Sequence, residues 1–169
     1  MSKFTVRHLC IAGVTAALYT ALTLLAASMN LAYLGVQFRI SEAMCVLPFL
    51  FPETVWGLFV GCLLSNIISP YGMLDMVVGS IATLLAAYLT SRCRNRYLAP
   101  LPPVVCNGIL VGAVIAWQEA GSTAAFWPAF ALNGLSVAFG EAVICYVLGL
   151  LLLRGLERVP ALASMGRKI

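Results

Sequence analysis

Charged side chains are scarce in this 169-residue sequence, where Asp, Glu, Lys and Arg together make up 9% of the residues. A soluble domain typically has about 25% charged and about 45–50% apolar residues. Hydrophobic residues here reach 62%, and a globule of this length could not bury so much apolar surface away from water. These proportions exclude an ordinary cytosolic enzyme, a nucleic-acid-binding protein and a disordered chain. They predict a protein whose main solvent is lipid.

The sequence also lacks the motifs that hold phosphates, metals or an activated nucleophile. It has no Gly-rich loop ending in Gly-Lys-Ser or Gly-Lys-Thr, so we expect any ATP-driven step to depend on another chain. It has no Gly-x-Ser-x-Gly motif and a single histidine, His8, which argues against a nucleophilic catalytic site. The cysteines form no Cys-x-x-Cys pair: Cys10, Cys45, Cys62, Cys93, Cys106 and Cys145. We therefore expect no catalytic residues, no metal site and no cofactor bound by this chain.

Six apolar segments predict an all-α integral membrane protein with six transmembrane helices in a single domain over residues 1–169. About 20 apolar residues cross the hydrocarbon core of a bilayer, and proline, glycine and charged residues separate the segments. The predicted spans are residues 9–29, 41–51, 54–68, 74–91, 104–118 and 126–153. The first segment has the basic start of a signal peptide, but its length favours a helix that is not cleaved.

The basic residues predict the orientation of these spans. With six crossings, three segments lie on one side of the membrane and hold nine of the ten basic residues: Lys3, Arg7, Arg92, Arg94, Arg96, Arg154, Arg158, Arg167 and Lys168. Cytoplasmic loops carry the excess of Lys and Arg, so we expect both termini in the cytoplasm. Topology and anionic lipid headgroups then explain the net charge of +4 without a nucleic-acid partner.

Four charged residues near or within the spans are candidate ligand-binding groups. Arg39 and Glu42 are three positions apart and share a helix face, so they form either a structural ion pair or part of a pocket. Asp75 opens the fourth span, where an acid also compensates the helix dipole. Glu141 lies well inside the sixth span, where an ionisable group is costly and usually faces a cavity.

Three asparagines and a tryptophan complete this candidate set: Asn66, Asn107, Asn133 and Trp117. The asparagines can instead join neighbouring helices by structural hydrogen bonds, and the tryptophan can belong to an interfacial aromatic belt. The outer half holds Glu42, Asp75 and Glu119 against the single Arg39, with Glu141 beneath. An excess of acids favours a small cation with several hydrogen-bond donors, and aromatic rings can stack on a flat ligand. We therefore expect an aminated heterocycle rather than a sugar or an anion.

Two stripes of small residues run along the first span with a spacing of four: Gly13, Ala17 and Ala21 in one, and Ala12, Ala16 and Thr20 in the other. Small residues let helices approach closely in lipid. The stripes are explained either by packing within the bundle or by a partner helix that docks on this face. We keep Ala12, Ala16, Gly13, Ala17 and Ala21 as candidate docking residues.

The segment Val36-Gln37-Phe38-Arg39-Ile40-Ser41-Glu42-Ala43 resembles the signature opening of the QueT family. These are the substrate-binding (S) components of energy-coupling-factor (ECF) transporters for queuosine precursors. The resemblance continues in shorter pieces through most of the chain, from about residue 8 to 154: Leu47-Pro48-Phe49, Gly61-Cys62-Leu63, Asn66, Leu74-Asp75, Gly79-Ser80, Asn107-Gly108 and Gly140-Glu141-Ala142.

The resemblance implies a six-helix S component in the bacterial plasma membrane, with its pocket in the outer half. An Ala-x-x-x-Ala face on the first span would dock on a membrane coupling subunit bound to two ATPase subunits, which use the ATP. The implied ligand is 7-aminomethyl-7-deazaguanine or a related precursor such as queuine. Carboxylates would accept its N–H groups and amides would read the purine edge: Glu42, Asp75 and Glu141 for the first role, and Asn66, Asn107 and Asn133 for the second.

Three further residues belong to the candidate substrate-binding set. Arg39 is expected to order Glu42 rather than to touch a cationic ligand, while Gln37 and Trp117 complete the set. Two alternatives stay open at this point. One is an S component for another flat vitamin, thiamine or riboflavin. The other is a small integral-membrane enzyme or a stand-alone carrier, which would often show inverted halves with broken helices.

Overall fold

The computed structural model describes residues 6–29, 39–69, 72–120 and 123–160, and no strand occurs among them. Five long or medium α-helices and a short sixth one follow each other along the chain: α1 (Val6–Ser28), α2 (Thr54–Ser65), α3 (Gly72–Arg92), α4 (Leu101–Ala120), α5 (Thr123–Val143) and α6 (Leu150–Glu157). A 3-10 helix, Ile40–Phe49, precedes α2, and a 3-10 turn, Asn66–Ile68, extends it. A π-helical segment, Ile144–Gly149, joins α5 to α6.

The all-α membrane fold expected from the sequence is confirmed. Each of the six predicted spans coincides with a helical stretch, since α5, the π-helical segment and α6 form one continuous helix. Four stretches are long and apolar enough to cross a membrane: Val6–Ser28, Gly72–Arg92, Leu101–Ala120 and Thr123–Glu157. The two shorter apolar helices are Ile40–Phe49 and Thr54–Ile68. The number of crossings and the side of the termini stay predictions.

The 3-10 helix Ile40–Phe49 lies at the centre of the bundle, in contact with α1, α2, α3, α6 and the π-helical segment. At about 2.0 Å rise per residue, its ten residues extend over about 20 Å, which is less than the roughly 30 Å of hydrocarbon. All of its residues from Ser41 to Phe49 are buried. Its backbone is therefore shielded by protein rather than exposed to lipid, as irregular backbone at membrane depth requires.

Glycines set the closest helix contacts. A Cβ added at Gly57 of α2 would lie 2.4 Å from the backbone oxygen of Ala12, and one added at Gly61 would lie 2.9 Å from that of Ala16. The α4–α5 pair is equally close, because a Cβ at Gly112 would lie 2.6 Å from Cα of Gly134. Small residues at these crossings hold α1 against α2, and α4 against α5.

The helix boundaries differ slightly from the predicted ones at the fifth span. α4 begins at Leu101 rather than at residue 104, so Pro102 and Pro103 lie in its first turn. The backbone N–H groups of a first turn have no partner within the helix, so proline causes no loss there.

Candidate functional site

Glu42 lies in the first turn of the 3-10 helix, and its side chain is 2% exposed. The Tyr19 hydroxyl of α1 donates to its Oε1 at 2.5 Å, and the Cys45 thiol donates to its Oε2 at 2.9 Å. Arg39 Nε lies 3.8 Å from the same Oε1. The Arg39–Glu42 ion pair considered from the sequence is therefore present, and a tyrosine from another helix fixes the carboxylate.

Arg39 connects Glu42 to the start of α3. It is buried, and its Nη2 donates to Asn66 Oδ1 at 2.6 Å. The amide nitrogen of Asn66 in turn donates to the backbone oxygen of Asp75 at 3.3 Å. The Arg39 guanidinium thus donates a hydrogen bond to Asn66 and forms an ion pair with Glu42. This geometry agrees with a role for Arg39 in ordering Glu42.

Asp75 is 2% exposed in the first turn of α3. Its Oδ2 accepts from the Ser69 hydroxyl at 2.5 Å, while its Oδ1 is buried and has no hydrogen-bond partner among the described residues. A Cβ at Gly79 would lie 2.9 Å from Asn66 Nδ2 and 3.1 Å from Asp75 Oδ1. Glycine at this position therefore leaves the room in which the two polar side chains lie.

Glu141 of α5 and Asn107 of α4 form the second polar pair in the bundle. The Asn107 amide donates to Glu141 Oε1 at 2.8 Å, and the Cys145 thiol lies 3.9 Å from the same oxygen. No arginine, lysine or histidine in the described part of the chain forms an ion pair with Glu141. Asn107 Oδ1 is buried and accepts no hydrogen bond from a described residue. The pair therefore presents a carboxylate without an ion-pair partner among the described residues, beside an unused acceptor.

The two polar groups face one small cavity. Its lining is Arg39, Glu42, Asn107, Val111, Val137 and Glu141. Its volume is about 10 Å³, about the space that one water molecule needs. Most ligand pockets are far larger, at about 300–1,000 Å³. The structure thus shows a closed site, in which the acids hydrogen-bond largely to neighbouring side chains.

The remaining candidate residues lie apart from this cavity. Asn133 donates to Glu119 Oε2 at 2.7 Å, which forms a separate pair between α5 and the end of α4. Trp117 is 67% exposed and packs edge-on against Phe126, with ring centroids 6.3 Å apart. The structure therefore does not bring Trp117 to the acids. Gln37 lies outside the described residues, so its role stays a prediction.

Sequence reasoning did not find Tyr19, which is fully buried and donates to Glu42. The available signal was its register, because Tyr19 follows Ala12 and Ala16 by seven and three positions on one helix face. That face packs against α2 and the 3-10 helix. A polar group within a stripe that faces the bundle has to find a partner there.

The two small-residue stripes of α1 have different surroundings. Ala12 and Ala16 are 9% and 8% exposed and pack against Gly57 and Gly61 of α2. They face α2 within the bundle, and a docking role for them stays a prediction. The other stripe is exposed to the outside: Gly13, Ala17 and Ala21.

Comparison with known proteins gives two matches and no solved structure that resembles the chain significantly. The sequence model of the family described as QueT transporter matches residues 9–158. The Queuosine precursor transporter QueT of Lactococcus lactis subsp. cremoris (strain MG1363) is 29% identical over 85 residues, which cover 50% of this chain and 50% of that relative. The match thus spans about half the length of the curated relative.

These findings confirm the resemblance drawn from the signature segment. They also confirm two broader expectations. The matching family is one of transporters and not of enzymes. Together with four helices long enough to cross a bilayer, it identifies a multi-pass protein of the cell membrane.

Proposed function

The chain belongs to the QueT transporter family, and on that premise we propose that it is the S component of an ECF-type importer. It captures a queuosine precursor, 7-aminomethyl-7-deazaguanine or queuine, outside the cell and delivers it to the cytoplasm. The relative from Lactococcus lactis carries the name of a queuosine precursor transporter, which supports this ligand class. Six crossings with both termini in the cytoplasm are part of the proposal.

The observation that carries the proposal is the set of buried acids around one arginine. Glu42, Asp75 and Glu141 are buried within the helical bundle, and in the described part of the chain Arg39 forms an ion pair with Glu42 but not with the other two. A deazaguanine offers ring and exocyclic N–H donors, and its aminomethyl group is a cation. A protonated, donor-rich base complements acceptors that outnumber positive groups.

Glu141 and Asn107 are the residues that we assign to the closest ligand contact. Glu42 already meets Arg39, Tyr19 and Cys45. Among the described residues, Glu141 has the Asn107 amide at 2.8 Å and a distant thiol as its hydrogen-bond partners. An intramembrane carboxylate without a cation is costly, so a cationic ligand with N–H donors lowers that cost. Asn107 Oδ1 is the adjacent acceptor for a second donor.

Binding requires the site to open, because a cavity of about 10 Å³ does not hold a bicyclic base. Arg39 and Glu42 line the cavity at the start of the 3-10 helix, and Glu141, which also lines it, lies three residues before the π-helical segment. The Cys145 thiol of the π-helical segment donates to the backbone oxygen of Glu42 at 3.3 Å, so the 3-10 helix and the π-helical segment are in direct contact. Both helix types have poorer hydrogen bonding than an α-helix and often mark functional sites. We propose that ligand binding separates these two segments.

The energising subunits are partners that act on this chain from outside. The exposed stripe Gly13, Ala17 and Ala21 is the surface that we assign to the membrane coupling subunit, since small residues permit close helix contact in lipid. Two ATPase subunits bound to that coupling subunit use ATP. The chain itself then needs no bound cofactor.

Two measurements on the intact chain test the proposal. Uptake of labelled 7-aminomethyl-7-deazaguanine into cells is expected only when the coupling and ATPase subunits are present. Binding to the purified chain is expected to be displaced by queuine but not by thiamine or riboflavin. Full uptake by the chain without those subunits would contradict the S-component assignment. Displacement of the bound 7-aminomethyl-7-deazaguanine by thiamine or by riboflavin would contradict the ligand class.

A further inference from the structure

A long groove on the outer surface of the bundle lies between the start of α2 and the second half of α3. Its volume is about 770 Å³, and it is separate from the polar cavity. Apolar and aromatic side chains form most of its walls, among them Val55, Trp56, Leu84 and Tyr88. Trp56 is 53% exposed in this groove. Such a surface at membrane depth is suited to an acyl chain.

Arg92 lies at the end of this groove, in the last turn of α3. Its Nη2 donates to the Tyr88 hydroxyl at 2.9 Å, and its guanidinium lies 5.1 Å from the centre of the Tyr88 ring. The tyrosine thus orients the guanidinium without neutralising it. The groove therefore combines apolar walls with a positioned positive charge at the level where the helix leaves the membrane.

The acids at this end of the molecule are engaged elsewhere. Glu53 pairs with His8 at 3.3 Å, and Glu157 pairs with Arg96 at 3.2 Å. No carboxylate of the described residues pairs with Arg92. Arg94 and Arg96 follow in the next connection and do not line the groove. The charge at the groove end is complementary to an anion.

We propose that this groove binds an anionic phospholipid, with the phosphate at Arg92 and an acyl chain along Val55, Trp56 and Leu84. Basic sites between membrane helices attract anionic headgroups, and each Arg near the surface contributes about 1 kcal/mol. Tyr88 supports the headgroup end by holding Arg92. The site is distinct from the one that takes the transported ligand.

Tryptophan quenching by brominated lipids tests the site at Trp56. A variant with Trp117→Phe and Trp127→Phe retains only Trp56 of the three tryptophans. It is reconstituted in bilayers with brominated phosphatidylglycerol or brominated phosphatidylcholine of the same acyl chains. We expect the anionic lipid to quench Trp56 at a mole fraction about fivefold lower than the zwitterionic lipid. Equal quenching by the two lipids would refute an anionic lipid site.

Two variants and a soluble competitor locate the effect. Arg92→Gln in the same background is expected to abolish the preference, whereas Arg94→Gln leaves it. A preference that survives Arg92→Gln would overturn the assignment. A Trp56→Phe chain, which keeps Trp117 and Trp127, should be quenched equally by both lipids. Stronger quenching of this variant by the anionic lipid would show that the protein attracts anionic lipid generally and not at the Trp56 groove. Displacement by glycerol phosphate, which has no acyl chains, would show a phosphate site and not a lipid site.

Discussion

Glu42 and Glu141 are buried to a similar degree but have different partners. Glu42 contacts a guanidinium, a hydroxyl and a thiol, whereas Glu141 has an amide and no ion-pair partner among the described residues. The cost of an acid in lipid predicts from the sequence that Glu141 faces a cavity, whereas the sequence places Glu42 either in an ion pair with Arg39 or in a pocket. The sequence could not predict which side chains contact each acid, because Tyr19 is 23 positions from Glu42 and Asn107 is 34 positions from Glu141 along the chain.

Removing the charge of Glu141 should weaken ligand binding while the fold is kept. In Glu141→Gln the new amide oxygen can still accept from Asn107, so the helix pair is preserved. We expect affinity for 7-aminomethyl-7-deazaguanine to fall by about 1–3 kcal/mol, or roughly 5- to 150-fold. Isothermal titration calorimetry on the purified chain measures this.

The matched control is Glu157→Gln, which removes an acid of the Arg96 pair at the far end of the molecule. Its affinity should equal that of the unchanged protein. If Glu141→Gln also binds with unchanged affinity, Glu141 is not the principal acceptor.

Loss of Asn66 should destabilise the fold. Asn66→Ala removes the Oδ1 acceptor of a buried Arg39 N–H and the amide donor to the backbone oxygen of Asp75. Hydrogen bonds to charged groups contribute about 1.5–3 kcal/mol, so Tm should fall by several degrees. Thermal unfolding in detergent measures the change, with the exposed Asn95→Ala as the control. Equal Tm values for the two variants would show that Asn66 does not hold Arg39.

At the scale of elements, hydropathy located every helical stretch but not the helix type. The predicted span 41–51 is a 3-10 helix, and the end of the predicted span 126–153 contains the π-helical segment. Apolar content is the same for α-, 3-10 and π-helices, and what differs is which carbonyl each N–H meets. That choice depends on tertiary contacts such as Gly149 against Val46, where a Cβ would lie 3.0 Å from Cγ1. Local sequence does not contain this information.

The α1–α2 contact gives a prediction with a control on the same helix pair. In Gly57→Ala the new methyl lies within 3 Å of the Ala12 oxygen and the Thr15 Cβ. Such overpacking costs about 1–3 kcal/mol. Gly13→Ala meets nothing within 4 Å, so its stability should be unchanged or slightly higher. Thermal unfolding of both variants measures the difference, and equal stability would mean that α1 and α2 do not approach as closely as described.

For the whole molecule, sequence composition was enough to establish a membrane protein, and the signature segment was enough for the family. The arrangement of the stripes on α1 needed the structure. Ala12 and Ala16 face α2, while Ala17 faces outward. Both stripes have the same spacing, and only packing against Gly57 and Gly61 distinguishes the inner stripe from the outer one.

The outward stripe should matter for transport but not for ligand binding. Ala17→Leu places a larger side chain on the exposed face, away from the polar cavity. A close helix contact there would be disrupted at a cost of about 1–3 kcal/mol, which corresponds to a loss of coupled uptake of roughly 5- to 150-fold. Binding of 7-aminomethyl-7-deazaguanine to the purified variant should be unchanged, because the residues that line the cavity are untouched.

Leu132→Phe is the control for Ala17→Leu, since Leu132 is 73% exposed on α5 and lies outside the stripe. Its uptake and its binding should both match those of the unchanged chain. Full uptake by Ala17→Leu would exclude this face as the docking surface. A loss of binding in the same variant would instead show that α1 supports the ligand site through Tyr19, two positions away. Measuring binding and uptake on the same preparations separates these outcomes, because only a docking defect lowers uptake while it leaves affinity intact.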